Sequence, residues 1–208
     1  MKKLNTDTTS STKKYKIPTG LMMKFSNVRE PSRKVSIQIQ SILNILERSI
    51  RTGGVPHIDH RLERWVISSK VTLTIGKRVL DDLKLDVPLV KYIQDYKRMS
   101  KYFLDVINTF KSDPWSRRLV VLNTDDYTRV QPCFLLMHFL KLPVLPQMEV
   151  IVYQRSLDYE KAYDDLVYFA NVIKTFEFCT KRKVVQLTLV IGNAHVQIPP
   201  GKYVVRKK

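Results

Sequence analysis

Residues 147–195 have the sequence QMEVIVYQRSLDYEKAYDDLVYFANVIKTFEFCTKRKVVQLTLVIGNAH, in which two short apolar segments flank a longer periodic one. The segment 148–153 is predicted to be a strand, and 184–191 a second strand that ends at Gly192. Between them, apolar residues recur at helical spacing and predict a helix over 159–178. This strand–helix–strand unit indicates a domain that contains both helices and strands.

The rest of the chain supplies further elements of both kinds. Helices are predicted over 35–50 and 99–111, and strands over 65–75, 118–122 and 133–139, while 77–96 predicts only short helical pieces. Because strict alternation of strand and helix is absent, the sequence predicts a single α/β (α+β) domain with a large mixed or antiparallel sheet packed by helices. This domain is expected at 19–208, after a disordered basic tail at 1–18.

Composition restricts the class of protein. The chain has 208 residues, 44% of them hydrophobic, which is typical of a globular domain rather than a disordered chain. No apolar run is long enough to span a bilayer and the N-terminus lacks the apolar stretch of a secretory signal, so a cytoplasmic location is expected, in the host cytoplasm if the chain is viral. The two cysteines, Cys133 and Cys179, are too few for a disulfide framework. Two reduced thiols are expected, and a single disulfide stays open.

The charge is strongly positive. Lys and Arg number 36 against 19 Asp and Glu, which gives a formal net charge of +17. An excess of this size favours polyanions such as nucleic acid, nucleotide phosphates or an acidic partner. The alternative is that basic terminal segments inflate the total. They hold eight of the positive charges, so much of the excess belongs to the folded body.

Four clusters of polar residues stand at predicted strand ends. They are Ser116-Arg117-Arg118, Gln131-Pro132-Cys133, Gln154-Arg155-Ser156-Leu157-Asp158 and Gly192-Asn193-Ala194-His195. Paired guanidinium groups can bind a phosphate bidentately, and helix N-terminal amides also favour anions. Each cluster also has an ordinary structural explanation: solvated arginines, a buried cysteine that fills space, helix caps at Ser156 and Asp158, and a histidine that only forms hydrogen bonds.

Taken together, the order and spacing of these clusters resemble the thymidylate synthase and deoxynucleotide hydroxymethylase superfamily. The matching motifs are Asp113-Pro114-Trp115-Ser116-Arg117-Arg118, Pro132-Cys133, Tyr153-Gln154-Arg155-Ser156-Leu157-Asp158 and Gly192-Asn193-Ala194-His195. They extend over residues 99–195, about half of the chain. The helix at 36–50 with Ile50-Arg51-Thr52-Gly53 is similar to the helix and loop that open the family fold.

The resemblance implies a role for each matching residue. Cys133 would add to C6 of a pyrimidine and make C5 nucleophilic enough to accept a one-carbon unit. Arg155, Ser156 and Arg51 would bind the 5′-phosphate, and Arg29 is the alternative candidate for the role of Arg51. Arg117 and Arg118 would contact the same phosphate from the second subunit of a homodimer. His195, Asp158, Gln154 and Asn193 would contact or support the ribose and base. The implied cofactor is methylenetetrahydrofolate, and no metal is expected.

The sequence also departs from the family pattern. Leu166 stands at the base-reading position and cannot form paired hydrogen bonds, so Asp165 or Asn171 is the candidate substitute. Val196-Gln197 stand where the family has a ribose-contacting tyrosine. Apart from Glu63 and Trp65, no counterpart of the catalytic glutamate or the folate-stacking tryptophan is found, and the usual C-terminal lid sequence is missing.

Two functions therefore remain open. The first is a C5 methyltransferase or hydroxymethyltransferase, of viral or phage type, that acts on dUMP or dCMP. The second is a catalytically degenerate module of the same fold that binds nucleic acid or belongs to a larger assembly. The location of the basic residues discriminates between them, because charges that converge on Cys133 favour a nucleotide whereas a separate stripe favours nucleic acid.

Overall fold

The computed structural model describes residues 36–59, 64–83, 93–123, 133–142 and 147–199. Its helices are α1 (Ile37–Gly53), α2 (Lys77–Leu83), α3 (Ile93–Ser112) and α4 (Ala162–Thr180), with a 3-10 turn at Tyr159–Lys161. Its strands are β1 (Val55–Asp59), β2 (Arg64–Gly76), β3 (Val120–Leu122), β4 (Phe134–Lys141), β5 (Gln147–Asp158) and β6 (Lys183–Gln197). None of the helices within these ranges is both long and apolar enough to cross a membrane.

The strands form one six-stranded sheet in the order β1-β2-β6-β5-β4-β3. Neighbouring strands are antiparallel except β5 and β6, which are parallel and are connected through α4. A parallel pair needs a long crossover connection, and the helix predicted between these two strands provides it. The expected single α+β domain with a mixed sheet packed by helices is therefore confirmed.

The hydrophobic core lies on one face of the sheet, where the four helices pack. Buried residues alternate along β2 at Val71, Leu73 and Ile75, as expected for a strand with one covered face. The buried face of α1 follows helical spacing from Ile39 to Ile50, and the Ser36 hydroxyl caps this helix by accepting a hydrogen bond from the Ile39 amide at 3.3 Å. The apolar periodicity of the sequence thus determines which face of each helix and strand is buried in the core.

Aromatic rings fill the core between α3, α4 and the sheet. The Phe139 ring of β4 stacks on Phe176 of α4 with centroids 4.2 Å apart, and Phe110 of α3 meets Phe176 edge-on at 5.6 Å. Such pairs add to the stability that burial alone provides. They hold the C-terminal ends of α3 and α4 side by side, which matters for the charged residues discussed below.

The opposite face of the sheet is called the open face here. It contains the strand residues that alternate with the buried ones, among them Leu136, Leu140, Ile151, Tyr153 and Val190. These side chains are half-buried or exposed, and Tyr153 has 39% of its surface accessible. The open face therefore combines apolar residues with polar ones such as Thr72 and Thr188.

Several element boundaries differ from the prediction. Helix α3 begins at Ile93 rather than 99, and the short edge strand β1 is not predicted. Strand β5 continues to Asp158, and β6 passes through Gly192 to Gln197 because it is hydrogen-bonded to β2 on one side and β5 on the other. The tail at 1–18 lies outside the described residues.

Candidate functional site

The Cys133 thiol lies where β4 begins. The side chain is exposed, and its sulfur accepts a hydrogen bond from the Ser156 hydroxyl at 3.4 Å. The Cys133 carbonyl accepts a hydrogen bond from the Arg155 amide at 2.6 Å, which joins the start of β4 to β5. The structure therefore brings together two of the predicted motifs, and the thiol is not a buried space-filler.

A row of polar side chains continues from Ser156 across the neighbouring strands. Ser156 is paired with Asn193, and Asp158 is paired with His195, in the parallel ladder of β5 and β6. On the other side of β6, His195 is paired with Ser68 of β2. Paired strand residues project to the same side of a sheet, so these five polar side chains share one side near Cys133. His195 is within the strand, not just past its end as predicted.

Asp158 is held by two contacts. One carboxylate oxygen accepts a hydrogen bond from the Glu160 amide at 3.2 Å and so caps the 3-10 turn, and the other lies 3.6 Å from Arg64 Nη2. Within the described part of the chain, Arg64 Nε and Ser68 Oγ are buried and have no hydrogen-bond partner. The sequence pattern does not identify Arg64 and Ser68 as site residues, because only the β2–β6 ladder brings them to this site.

Arg51 lies at the C-terminal end of α1. Its Nε forms an ion pair with Glu47 at 2.7 Å, and both groups are close to Tyr159, the residue after Asp158. Burial, followed by the negative charge of Glu47, raises the pKa of the Tyr159 phenol, and Arg51 offsets part of this rise. The structure thus places Arg51 near the end of β5, while its rival Arg29 lies outside the described residues.

Gly54 allows the C-terminal end of α1 to pack closely on β2. A Cβ atom at Gly54 would collide with the Ile50 carbonyl oxygen and with Ile67 Cγ2, and it would lie 2.9 Å from the Ser68 carbonyl oxygen. The backbone after Arg51 therefore packs directly on β2 beside Ser68, which is a close approach that only glycine permits.

Gln154 is buried beneath α4, with 3% of its surface exposed. Its Nε2 donates a hydrogen bond to Asp165 at 2.8 Å, whereas its Oε1 has no partner among the described residues. An unpaired buried acceptor is costly unless a ligand or water supplies a donor. Of the two candidate base readers, Asp165 is therefore linked to the site, while the Asn171 amide donates to the Val167 carbonyl within α4.

Arg155 and Ser156 are neighbours within β5, not residues just past the end of a strand as predicted. Since successive strand residues project to opposite sides, the Arg155 side chain lies on the side of Tyr153, away from Ser156. Gly192 lies beside it, and a Cβ atom there would be 3.1 Å from the Arg155 carbonyl oxygen. A phosphate that contacts both side chains would have to lie past the start of β4 at Cys133, beside β5 rather than on one side of the sheet.

Arg117 and Arg118 lie near the other end of β4. The Arg117 carbonyl oxygen is 3.2 Å from His138 Nε2, and His138 is five residues along β4 from Cys133. At 3.3 Å per residue this is about 17 Å, too far for an arginine side chain to reach the thiol of its own chain. The structure therefore does not bring this motif to the other three within one chain.

Cys179 is also distant from the site, at the C-terminal end of α4. Both cysteines are free thiols. Burial raises the pKa of the Cys179 thiol, and the nearby charges of Lys111 and Lys181 offset part of the rise. Cys179 is half-buried in the core between α3 and α4, consistent with a structural role.

The described residues do not identify a folate or metal site. Trp65 is a member of β2, paired with Ile58 of β1, and Glu63 lies outside the described residues. Val196, which stands where the resemblance implies a ribose-contacting tyrosine, is buried. No group of three His, Cys, Asp or Glu side chains with metal-binding geometry occurs in the part of the chain that the structure describes.

The chain was also compared with known proteins. No protein-family model matches it, and no curated protein matches it. The functional assignment therefore depends on the geometry around Cys133 and on the motifs that the sequence contains.

Proposed function

We propose that the protein is a pyrimidine deoxynucleoside monophosphate C5-transferase of the thymidylate synthase type, with Cys133 as the nucleophile and dUMP or dCMP as the substrate. The observation that carries the proposal is the hydrogen bond between Ser156 and the exposed Cys133 thiol, beside a row of polar side chains from three strands. A structural cysteine requires no such surroundings, whereas a nucleophile needs access and oriented polar neighbours.

The surrounding residues suggest where each part of the nucleotide binds. Ser156 and Arg155 can hold the 5′-phosphate beside the start of β4, since a guanidinium and a hydroxyl both donate to phosphate oxygens. His195 and Asn193 line the same strand ends and are suited to the ribose. Gln154 is buried and is suited to a supporting role, since its Nε2 donates a hydrogen bond at 2.8 Å to Asp165, the candidate base reader.

The chemistry assigned to Cys133 is covalent activation of the pyrimidine. The thiolate sulfur adds to C6, which breaks the C5=C6 double bond and leaves C5 as a carbanion equivalent. C5 then bonds to an electrophilic one-carbon unit as the bond between that unit and its leaving group breaks. A base takes the C5 proton, and the C5–H electron pair re-forms C5=C6 as the C6–S bond breaks and releases the thiolate. The proposal concerns this nucleotide half of the reaction, because the described residues offer no site for the folate that the resemblance implies.

A second copy of the chain completes the phosphate site in this proposal. Arg117 and Arg118 are about 17 Å along β4 from Cys133, so they can act at a phosphate only in a partner's site. The open face, with Ile151, Tyr153 and Val190 partly exposed, is the surface expected to pack against that second copy. Residues 117–118 and Arg155 would then meet across the interface.

The decisive test uses C5 hydrogen exchange, which needs no folate. The protein is incubated with dUMP or dCMP in D2O, and loss of the C5 proton signal is followed by NMR. Reversible addition of the thiol should exchange this proton in the wild-type protein and not in Cys133→Ala. Exchange that is equally fast in Cys133→Ala, or nucleotide binding without any exchange, would show that Cys133 is not the nucleophile.

A thermal-shift panel with dUMP, dCMP, dTMP and UMP identifies the substrate. A ligand at 100 times its dissociation constant should add about 2.7 kcal/mol to the free energy of unfolding, and the preferred monophosphate should stand apart from the others. No stabilisation by any of the four nucleotides would contradict a nucleotide site at Cys133.

A further inference from the structure

The end of the sheet remote from Cys133 has a different chemical character. There β4 ends while β5 and β6 begin, and α3 and α4 terminate beside them. Basic side chains and exposed aromatic rings gather at this place. The residues of this basic end are Trp115, Lys141, Phe178, Lys181, Arg182 and Lys183.

Two aromatic rings at the basic end are exposed, and each lies under a lysine. Trp115 has 65% and Phe178 has 51% of its surface accessible, although burial of large aromatic side chains normally stabilises a fold. Lys141 Nζ lies 2.9 Å from the centroid of the Trp115 ring, and Lys181 Nζ lies 4.5 Å from that of Phe178. Each pair combines a ring that can stack on a base with a cation that can bind a phosphate.

The two pairs lie at the same end of the sheet. Lys141 is paired with Met148 of β5, and Met148 is paired with Val184 of β6, two residues after Arg182. Two strand spacings separate Lys141 from Val184, which is about 10 Å. The basic end is therefore one surface that a few consecutive nucleotides can cover.

The acidic residues at this end do not cancel the charge. The Glu177 carboxylate is buried and accepts a hydrogen bond from the Val184 amide at 2.8 Å. Asp113 is exposed, and one of its oxygens accepts from the Trp115 amide at 3.0 Å. Glu149 is paired with Leu140 beside Lys141, and its carboxylate accepts hydrogen bonds from Gln186 and Thr188. Lys141, Lys181, Arg182 and Lys183 outnumber these three carboxylates, before Arg117 and Arg118 nearby are counted.

Lys181 also occupies an unusual backbone position. It is the only described non-glycine residue with a positive φ, 57°, where it ends α4 by donating its amide hydrogen to the Glu177 carbonyl. Glycine or asparagine is the usual residue at such a helix end, because a Cβ atom is strained there. A lysine at this position suggests that its charge is useful enough to offset the strain.

We infer that the basic end binds single-stranded nucleic acid, with Trp115 and Phe178 stacking on bases and the lysines contacting the phosphates. Stacking rings beside cations are what sequence-tolerant single-strand binding requires. This surface is remote from the Cys133 of its own chain, and the inference rests on residues of the basic end alone, so it does not depend on the function proposed for the thiol. It also gives a use to part of the net charge of +17 that a mononucleotide site alone does not need.

The test is fluorescence anisotropy with a labelled single-stranded DNA of about 16 nucleotides. Trp115→Ala and Phe178→Ala should each weaken binding about tenfold. Lys141→Gln with Lys183→Gln should lower the slope of log affinity against log salt by about 0.7 per lysine. The charge-matched control is Lys70→Gln with Lys161→Gln, which removes two exposed lysines far from the basic end. It should leave the affinity for the oligonucleotide and the slope of log affinity against log salt nearly unchanged.

Any of the following results would contradict the inference that the basic end binds single-stranded nucleic acid. Equal losses in the control pair would mean diffuse attraction to net charge, and unchanged binding in both aromatic variants would exclude stacking. Duplex DNA of the same length bound as tightly as the single strand would also exclude it. Cys133→Ala should bind the oligonucleotide like the wild type, and a loss there would place the nucleic acid at the thiol instead.

Discussion

The Ser156 hydroxyl donates a hydrogen bond to the Cys133 sulfur across 3.4 Å, and a register shift in the β4–β5 ladder lies next to this pair. Phe134 is paired with Gln154 but Leu136 with Tyr153, so one residue of β4 is unmatched. Such a bulge re-aims the residues around it and is common beside functional sites. Here it leaves Cys133 exposed at the strand start while the backbone remains tied to Arg155.

The first prediction concerns the two thiols. Cys133 is exposed, whereas Cys179 is half-buried and burial raises its pKa, so less of it is thiolate near neutral pH. Iodoacetamide should therefore modify Cys133 at least about tenfold faster than Cys179. Mass spectrometry of the native protein should show one fast site, which Cys133→Ala abolishes and Cys179→Ala preserves. Equal rates would mean that the core around Cys179 opens readily.

The second prediction tests whether two chains share the site. Cys133→Ala and the double variant Arg117→Gln with Arg118→Gln should each be inactive in C5 hydrogen exchange. Mixed and allowed to exchange subunits, they should recover about a quarter of the wild-type activity, since half of the dimers then hold one intact site. Recovery requires arginines from one chain and the thiol from the other. No recovery from subunits that demonstrably exchange would confine the site to one chain.

The third prediction concerns the close approach of α1 to β2. Gly54→Ala forces a Cβ atom into the Ile50 carbonyl and Ile67, so it should destabilise the protein by about 1–3 kcal/mol. Gly76→Ala is the matched control, because no described atom lies within 4 Å of its Cβ position. Urea denaturation of both variants measures the difference. Similar stability in the two would show that the helix end shifts freely.

The sequence predicts the covered faces well and the site geometry less well. Apolar periodicity places α1, β2 and α4 because burial depends on spacing along the chain. The extension of β6 through Gly192-Asn193 is missed, since both are weak strand formers and the extended backbone there depends on the pairing of their neighbours with β2 and β5 and of Asn193 with Ser156. Arg64 is missed for the same reason, because its position near Asp158 arises from strand pairing and not from a local motif.

The fourth prediction concerns alkaline pH. Burial and Glu47 raise the pKa of Tyr159 above its unfolded value near 10. The neutral phenol is therefore favoured in the folded state, and this contribution to stability is present below about pH 10 and is lost as the pH rises through the folded pKa. Tyr159→Phe should lose less stability than the wild type above about pH 10, by less than about 1 kcal/mol because the side chain is only partly buried and solvent screens its interactions. Parallel urea titrations measure this, and identical losses would mean that Tyr159 does not titrate with folding.

The fifth prediction separates stability from binding at Lys181. Lys181→Gly removes the strain of a side chain at φ 57°, so it should raise the free energy of unfolding by about 0.5–1 kcal/mol. The same change removes the ammonium group above Phe178 and should weaken single-stranded DNA binding several-fold. Lys181→Asn, which tolerates the left-handed conformation, should behave in the same way. Urea denaturation and anisotropy on the same preparations give both quantities. If the variant is more stable and binds DNA as well as the wild type, Lys181 does not belong to the binding surface. If the variant is less stable than the wild type, the lysine side chain supports the fold itself.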